Sequence, residues 1–296
     1  MAIVLGLLVA LFYGSGDFFG GLASKRAASP TVVVGSFTVA AVLLAVTTLG
    51  WAVVGELPTP DGRDLWLGAA SGVIGPISLA LLYRGLASGR MSVVAPITAV
   101  VAAIVPLAWG LAVGERPSAV ALGGVVVALV AVVLIAGAPA HEDHPVDAAV
   151  LPVREVVGPA VLAGLGFGVI FILLGETSGH AGLWPLVVAR PTAIVLTAAA
   201  LALVALRRGR PLGPSIVPAR AAWPALSVAG TFDITANATY LAAANRGLLS
   251  IVAVLSSLYP AATVVLARLV LGERLHRVQL AGLALAAAGI AAIAAG

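Results

Sequence analysis

The chain has 296 residues, 61% hydrophobic and only 9% charged, against about 25% charged in a soluble domain. So few charges cannot cover a soluble surface of this size, and the mean hydropathy of +1.14 agrees; most soluble enzymes, nucleic-acid modules and disordered scaffolds are excluded. The net charge of +4 then reflects the basic bias of membrane-protein loops rather than a nucleic-acid footprint, and the absence of cysteine removes disulfides and thiolate-held metals or clusters.

Apolar runs recur along the whole chain, and a run of about 20 residues is what a helix needs to cross a hydrocarbon core. The first, 2–23, has no Lys or Arg before Lys25, so it reads as a span rather than a cleaved signal. Further spans are predicted at 31–53, 64–83, 92–113 and 118–137. The longest hydrophilic stretch, 139–155, contains His141, Glu142, Asp143 and His144 and reads as a solvated linker; two histidines among loop acids make a poor metal site. A second set of five spans is predicted at 156–177, 182–206, 220–243, 248–270 and 276–295. The expected fold is an all-α membrane protein of ten transmembrane helices: a first repeat over 1–138, the linker, and a second repeat over 156–296.

The two sets repeat each other. A shift of 158 lays Gly114-Glu115-Arg116 on Gly272-Glu273-Arg274, Gly89 on Gly247, Ser92 on Ser250 and Gly124 on Gly282. Residues 89–135 then match at 14 positions, where about six are expected of an Ala/Leu/Val-rich composition, which is the weak self-similarity usual for internal repeats. A shift of 154 brings Tyr13-Gly14 onto Phe167-Gly168. Five helices per repeat is an odd number, so the second repeat enters the membrane from the opposite side. Inverted repeats hold their substrate near the midplane, between them, and expose it to each side in turn by rocking.

The aromatic-Gly pair Tyr13-Gly14 in the first helix, the Gly-Glu-Arg turns at 114–116 and 272–274, and the following Gly124 and Gly282 resemble the drug/metabolite transporter superfamily, specifically its EamA-type ten-helix members. The resemblance covers both halves. It implies a multi-pass inner (cytoplasmic) membrane carrier that exports or exchanges small metabolites. It departs at Tyr13, where many relatives have Trp, and it assigns no role to Asp17.

Ionisable groups inside membrane helices are rare and costly, so the few present are candidates. Asp17 shares a face with Tyr13 at i, i+4, as a proton or substrate-amine site or as a carboxylate held near the interface. Asp233, Asn237 and Tyr240 form one stripe on the eighth span, and Ser256, Tyr259 and Thr263 another on the ninth. Arg190 lies in the seventh. Depth arithmetic pairs Arg190, about eight residues or ~12 Å into its helix, with Asp233, ~15 Å from the same side, whereas Asp17 at ~22 Å is the poorer match. Tyr13, Asp17, Arg190, Asp233, Asn237, Tyr240, Ser256 and Tyr259 are thus the expected substrate-binding residues, around one cavity. Pro96 and Pro106 in the fourth span and Pro260 in the ninth point to broken helices in both halves. The pairs Gly16/Gly20, Gly68/Gly72 and Gly164/Gly168 are expected to pack helices within one chain, with dimerisation left open. Glu115 and Glu273 are expected to be structural, at helix N-termini.

No H-E-x-x-H, G-x-S-x-G or Walker A motif occurs, so no enzyme and no cofactor is expected. The expected function is secondary transport of a small molecule, either coupled to protons or running as an exchanger. The alternatives are an uncoupled facilitator or channel, which would show no pH dependence, and the membrane subunit of a multi-component ATP-driven permease, which would need a cytoplasmic coupling helix. Orientation stays open: eleven Lys/Arg in odd-numbered loops against three in even ones place the termini outside, whereas the resemblance implies that both are inside.

Overall fold

The computed structural model describes residues 1–24, 26–55, 57–86, 91–137, 153–211, 216–272 and 275–296. The linker histidines His141 and His144 lie outside these residues, as do Lys25, Gly89 and Glu273. The helices are α1 (Ala2–Ser24), α2 (Ser29–Val54), α3 (Gly62–Leu86), α4 (Met91–Ala112), α5 (Ala119–Ala136), α6 (Val153–Gly175), α7 (Trp184–Arg207), α8 (Trp223–Ala244), α9 (Leu249–Ser256), α10 (Tyr259–Leu271) and α11 (Arg277–Ala295). Short 3₁₀ turns at Gly179–Ala181 and Arg220–Ala222 precede α7 and α8. Helices α9 and α10 together form the ninth span, 249–271.

Among the described residues nine spans are long and apolar enough to cross a membrane. The exception, α8, has the length at 22 residues but carries a row of polar side chains. Thr231, Thr235 and Thr239 each donate a hydrogen bond to the carbonyl four residues back. That back-bonding satisfies the hydroxyls inside the helix itself, so they are tolerable in lipid.

Only one of the expected breaks is present. Helix α4 runs unbroken through both Pro96 and Pro106. The ninth span does break, at Ser257 and Leu258, just before Pro260, whose missing N–H cannot continue the ladder. Ser256 and Ser257 donate to the carbonyls of Val252 and Val254 at 2.7 Å each, which covers backbone groups beside the break.

The helices sort into two bundles, each drawing on both halves of the chain. Helices α1, α2, α8 and α9–α10 form one; α3, α4, α6 and α7 form the other; α5 and α11 pack on each other. Exchanging the halves preserves these pairings: α1 packs on α8 as α6 packs on α3, α3 on α7 as α8 on α2, and α4 on α6 as α9–α10 on α1. The exchange reaches single residues. A Cβ on Gly124 would meet the backbone N of Ile293 at 2.8 Å, and one on Gly282 would meet the backbone N of Ile135 at 3.1 Å; 124 and 135 become 282 and 293 under the 158 shift. A Cβ on Gly14 would meet the backbone of Thr263, and one on Gly168 the side chain of Val105, which the 154 and 158 shifts interchange. Since Gly124 lies at Ile293 and Ile135 at Gly282, the equivalent helices α5 and α11 run antiparallel, as inverted halves require.

Glycine makes these crossings possible. A Cβ at Gly68 would collide with the backbone of Pro185, one at Gly72 with Ala189, and one at Gly230 with Ser36. The small-residue pairs therefore serve contacts inside the chain. Buried apolar side chains fill two main clusters: α5 and α11 with α4, α9 and the start of α1 around Val125, Ile135 and Leu255, and the junction of the bundles around Val9, Leu174 and Tyr240.

Candidate functional site

Arg190 on α7 and Asp233 on α8 belong to different bundles, and they meet where the bundles face each other. Arg190 Nη2 lies 2.7 Å from Asp233 Oδ2. Arg190 is seven residues into α7 by its observed bounds and Asp233 near the middle of α8; the reach of the arginine side chain covers the difference in depth. Arg190 is 8% exposed, and its guanidinium sits 5.1 Å over the Phe37 ring of α2, a cation–π contact. Asn237, one turn along α8, donates from Nδ2 to the Asp233 carbonyl at 2.8 Å and to Oδ1 at 3.3 Å.

The pair is short but not fully made. Asp233 Oδ2 meets Arg190 at ion-pair distance without a well-directed hydrogen bond, and Arg190 Nε is buried with no hydrogen-bond partner among the described residues. A planar guanidinium matches a carboxylate best through two parallel bonds. Here it makes one off-axis contact, so donor capacity is left over at the junction of the bundles.

Asp17 and Tyr13 on α1, and Tyr259 at the start of α10, complete the neighbourhood. Asp17 lies within Coulombic range of Asp233 and Tyr259, and Tyr13 within range of Asp233, Arg190 and Asp17. Asp17 is exposed and has no hydrogen bond or ion pair among the described residues, while Asp233 is half-buried. A carboxylate facing hydrocarbon is expensive. Phe12 and Phe19 of α1 stack against Phe232 of α8, at 6.1 and 6.2 Å between ring centroids.

Two of the expected residues stand apart in this conformation. Tyr240 is fully buried, stacks on Phe171 at 4.8 Å, and donates from its hydroxyl to the Phe171 carbonyl at 3.0 Å. Tyr13 lies 6.1 Å from the same ring. Since Phe171 is on α6, this aromatic cluster joins the two bundles between the charged residues and the face carrying the N-terminus. Ser256 is also fully buried, with its hydroxyl turned back onto its own helix. The crevice lined by Thr48, Trp51, Leu57, Pro58, Leu183 and Trp184 contains none of the candidates.

The N-terminal face holds polar contacts that sequence reasoning did not find. Asp64 at the start of α3 is 1% exposed and accepts from Ser178 N at 2.8 Å, Ser178 Oγ at 2.6 Å and Asp61 N at 3.0 Å. Asp61, Asp64 and His180 bring metal-ligand atoms within 4.8 Å of one another, but the Asp64 oxygens are occupied by N–H and O–H donors, which is the chemistry of a bonded turn. Glu176 accepts from Arg63 at 3.0 Å and from Trp109 at 2.9 Å. Glu115 is structural in an unexpected way: it accepts from Leu249 N at 2.6 Å and Ser250 N at 3.0 Å, capping α9 rather than the helix that follows it. Gly114 takes φ +104° and Gly272 φ +72°, which explains the glycine of each Gly-Glu-Arg turn.

A family model described as the EamA-like transporter family matches residues 1–137 and 156–295. The chain belongs to the EamA-like transporter family. Among solved structures, a chain titled "Crystal structure of protein" is similar to this EamA-like protein with a TM-score of 0.72 at 17% identity, covering 99% of this chain and 96% of that one. At that identity the likeness concerns the fold. No curated protein matches. Family membership makes the chain a multi-pass membrane transporter, with a small molecule as substrate and the bilayer as its surroundings.

Proposed function

We propose that this EamA-like protein is a secondary carrier of the cytoplasmic membrane, exporting or exchanging a small metabolite by alternating access between its two bundles. The observation that carries this reading is the Arg190–Asp233 pair, which bridges the bundles with a single off-axis contact and leaves Arg190 Nε unsatisfied. The carboxylate of an anionic or zwitterionic substrate competes with Asp233 for the guanidinium, and Asn237 holds the displaced Asp233. Tyr13 and Tyr259 border the substrate, and Tyr240 and Ser256 become available as the bundles move. Asp17, which lacks a counter-charge of its own, is the group through which proton coupling runs. The two bundles, each drawing on both of the repeats that the linker 139–155 joins, are the moving framework, and no cofactor takes part.

The test is uptake into proteoliposomes, screening amino acids, nucleosides and cationic drugs with and without a pH gradient. Asp233→Asn keeps shape and removes charge. It is expected to reduce transport well beyond any loss of expression; equal losses of both would make Asp233 structural and overturn the site. Transport that ignores the pH gradient would overturn the coupling role of Asp17.

A further inference from the structure

We propose that α9 is a hinged gate on the N-terminal face and that the Glu115 carboxylate is its latch. This rests on the carrier reading above. Glu115 stands in the turn after α4, in one bundle, whereas α9 belongs to the other. Its two oxygens take the first two N–H groups of α9, at 2.6 and 3.0 Å. These donors have no partner inside the helix, and a carboxylate is the favoured charge at that end. The latch therefore ties one bundle to the other through a charge-assisted pair of hydrogen bonds.

The surroundings fit a segment that moves as a unit. Gly110 of α4 gives the room: a Cβ there would run into Glu115 itself and come within 3.0 Å of Ser250 Cβ. All eight residues of α9 are buried, whereas none of α10 is. The break at Ser257 and Leu258 separates them, so α9 can swing without carrying α10. Helix α9 packs on both α4 and α1, while α10 packs on α1 and α5 but not on α4 among the main helix pairs. The bundles are thus drawn together at the N-terminal end, and Asp17, seven residues before the far end of α1, is exposed. In the proposed cycle this is the state closed on the N-terminal face. Ser250, fully buried with an unpartnered hydroxyl, lies directly under the latch.

The chain contains no cysteine, so single reporters can be read by labelling with a water-soluble maleimide, with no knowledge of the substrate. Ser250→Cys reports on the latch; Leu226→Cys, fully buried on α8 in a cluster that holds no residue of α9, reports on the fold. In purified full-length protein, adding Glu115→Gln is expected to speed labelling at position 250 by about tenfold, the shift produced by weakening a charged hydrogen-bonded cap, and to leave position 226 unchanged. No change at 250 would overturn the latch. An equal rise at both positions would overturn it as well, since Glu115 would then merely hold the fold together. Neither result bears on the transport assay, so this inference and the carrier reading fail separately.

Discussion

At the scale of single residues, the Arg190–Asp233 pair is the most consequential contact in the molecule. Removing one partner leaves an uncompensated buried charge, which typically costs about 3–5 kcal/mol, whereas replacing both by apolar residues is often nearly neutral. Arg190→Met and Asp233→Leu are therefore each expected to lower the melting temperature of the purified protein sharply, and the double variant to recover most of it while staying inactive in transport. If the double variant is no more stable than the singles, the two charges are not coupled. The pairing was legible in the sequence because depth follows from helix length alone, and both residues sit in long uninterrupted spans. Tyr240 and Ser256 were less legible. Their i, i+3 and i, i+4 spacing identifies a shared face, but periodicity does not separate a face lining a cavity from one packed on Phe171 or on its own backbone. Glycines give a second check at this scale. Gly14→Ala would place a methyl against the Tyr259 carbonyl and Ala262, whereas Gly21→Ala meets nothing within 4 Å. Gly14→Ala is expected to destabilise clearly, and Gly21→Ala to be neutral or to gain up to about 1 kcal/mol from helix propensity, both read by thermal unfolding.

At the scale of elements, helix ends carry the information that the sequence hides. The ten spans could be placed to within about three residues because hydrophobic runs and turn punctuation are local. The partners of the turns could not. Glu115 meets residues 134 and 135 positions away, and Asp64 meets Ser178, 114 positions away; no periodicity or spacing encodes such contacts. The sequence places both acids at helix ends, Glu115 as a structural residue and Asp64 at the start of the third span, but it points to neither distant partner. Only where a cap is local does the usual signal work: Ser118 accepts from Ala121 N at 3.1 Å at the start of α5. Ser118→Ala is expected to cost about 1 kcal/mol, the ordinary value for an N-cap. It should leave labelling at Ser250→Cys unchanged, because α5 is not part of the gate. A Ser118 variant that opens position 250 as Glu115→Gln does would mean that the whole turn, rather than the carboxylate, holds α9. The prolines make the same point. Pro260 ends a helix but Pro96 and Pro106 do not, because a transmembrane helix can absorb a lost N–H when its neighbours and Ser/Thr side chains cover the freed carbonyl.

At the scale of the whole molecule, the antiparallel crossing of α5 and α11 fixes how the halves relate. Gly124 against Ile293 and Ile135 against Gly282 are one contact seen twice, and only halves of opposite orientation produce it from equivalent helices. Each half is a set of five spans, so the chain reaches the opposite face after α5 and returns after α11. The side chains agree with this count: a Cβ at Gly247 would touch Ala2, and one at Gly296 would touch Ser118, so the N-terminus, the turn before α9, the turn before α5 and the C-terminus share a face. An accessible tag before Met1 and one after Gly296 are therefore expected on the same side of the membrane, and a tag inserted after Gly137 on the other. The outcome is independent of which side is cytoplasmic, where the Lys/Arg count and the family resemblance disagree; the same three tags resolve that disagreement. Termini on opposite sides would mean an odd total of crossings, and a tag after Gly137 on the side of the termini would mean an even number in the first half; either would remove the inverted symmetry. The gate depends on the same count. Glu115 and α9 lie on the face of the termini, so the maleimide that reaches Ser250→Cys in intact vesicles should be the one added to the side that also exposes the tag after Gly296.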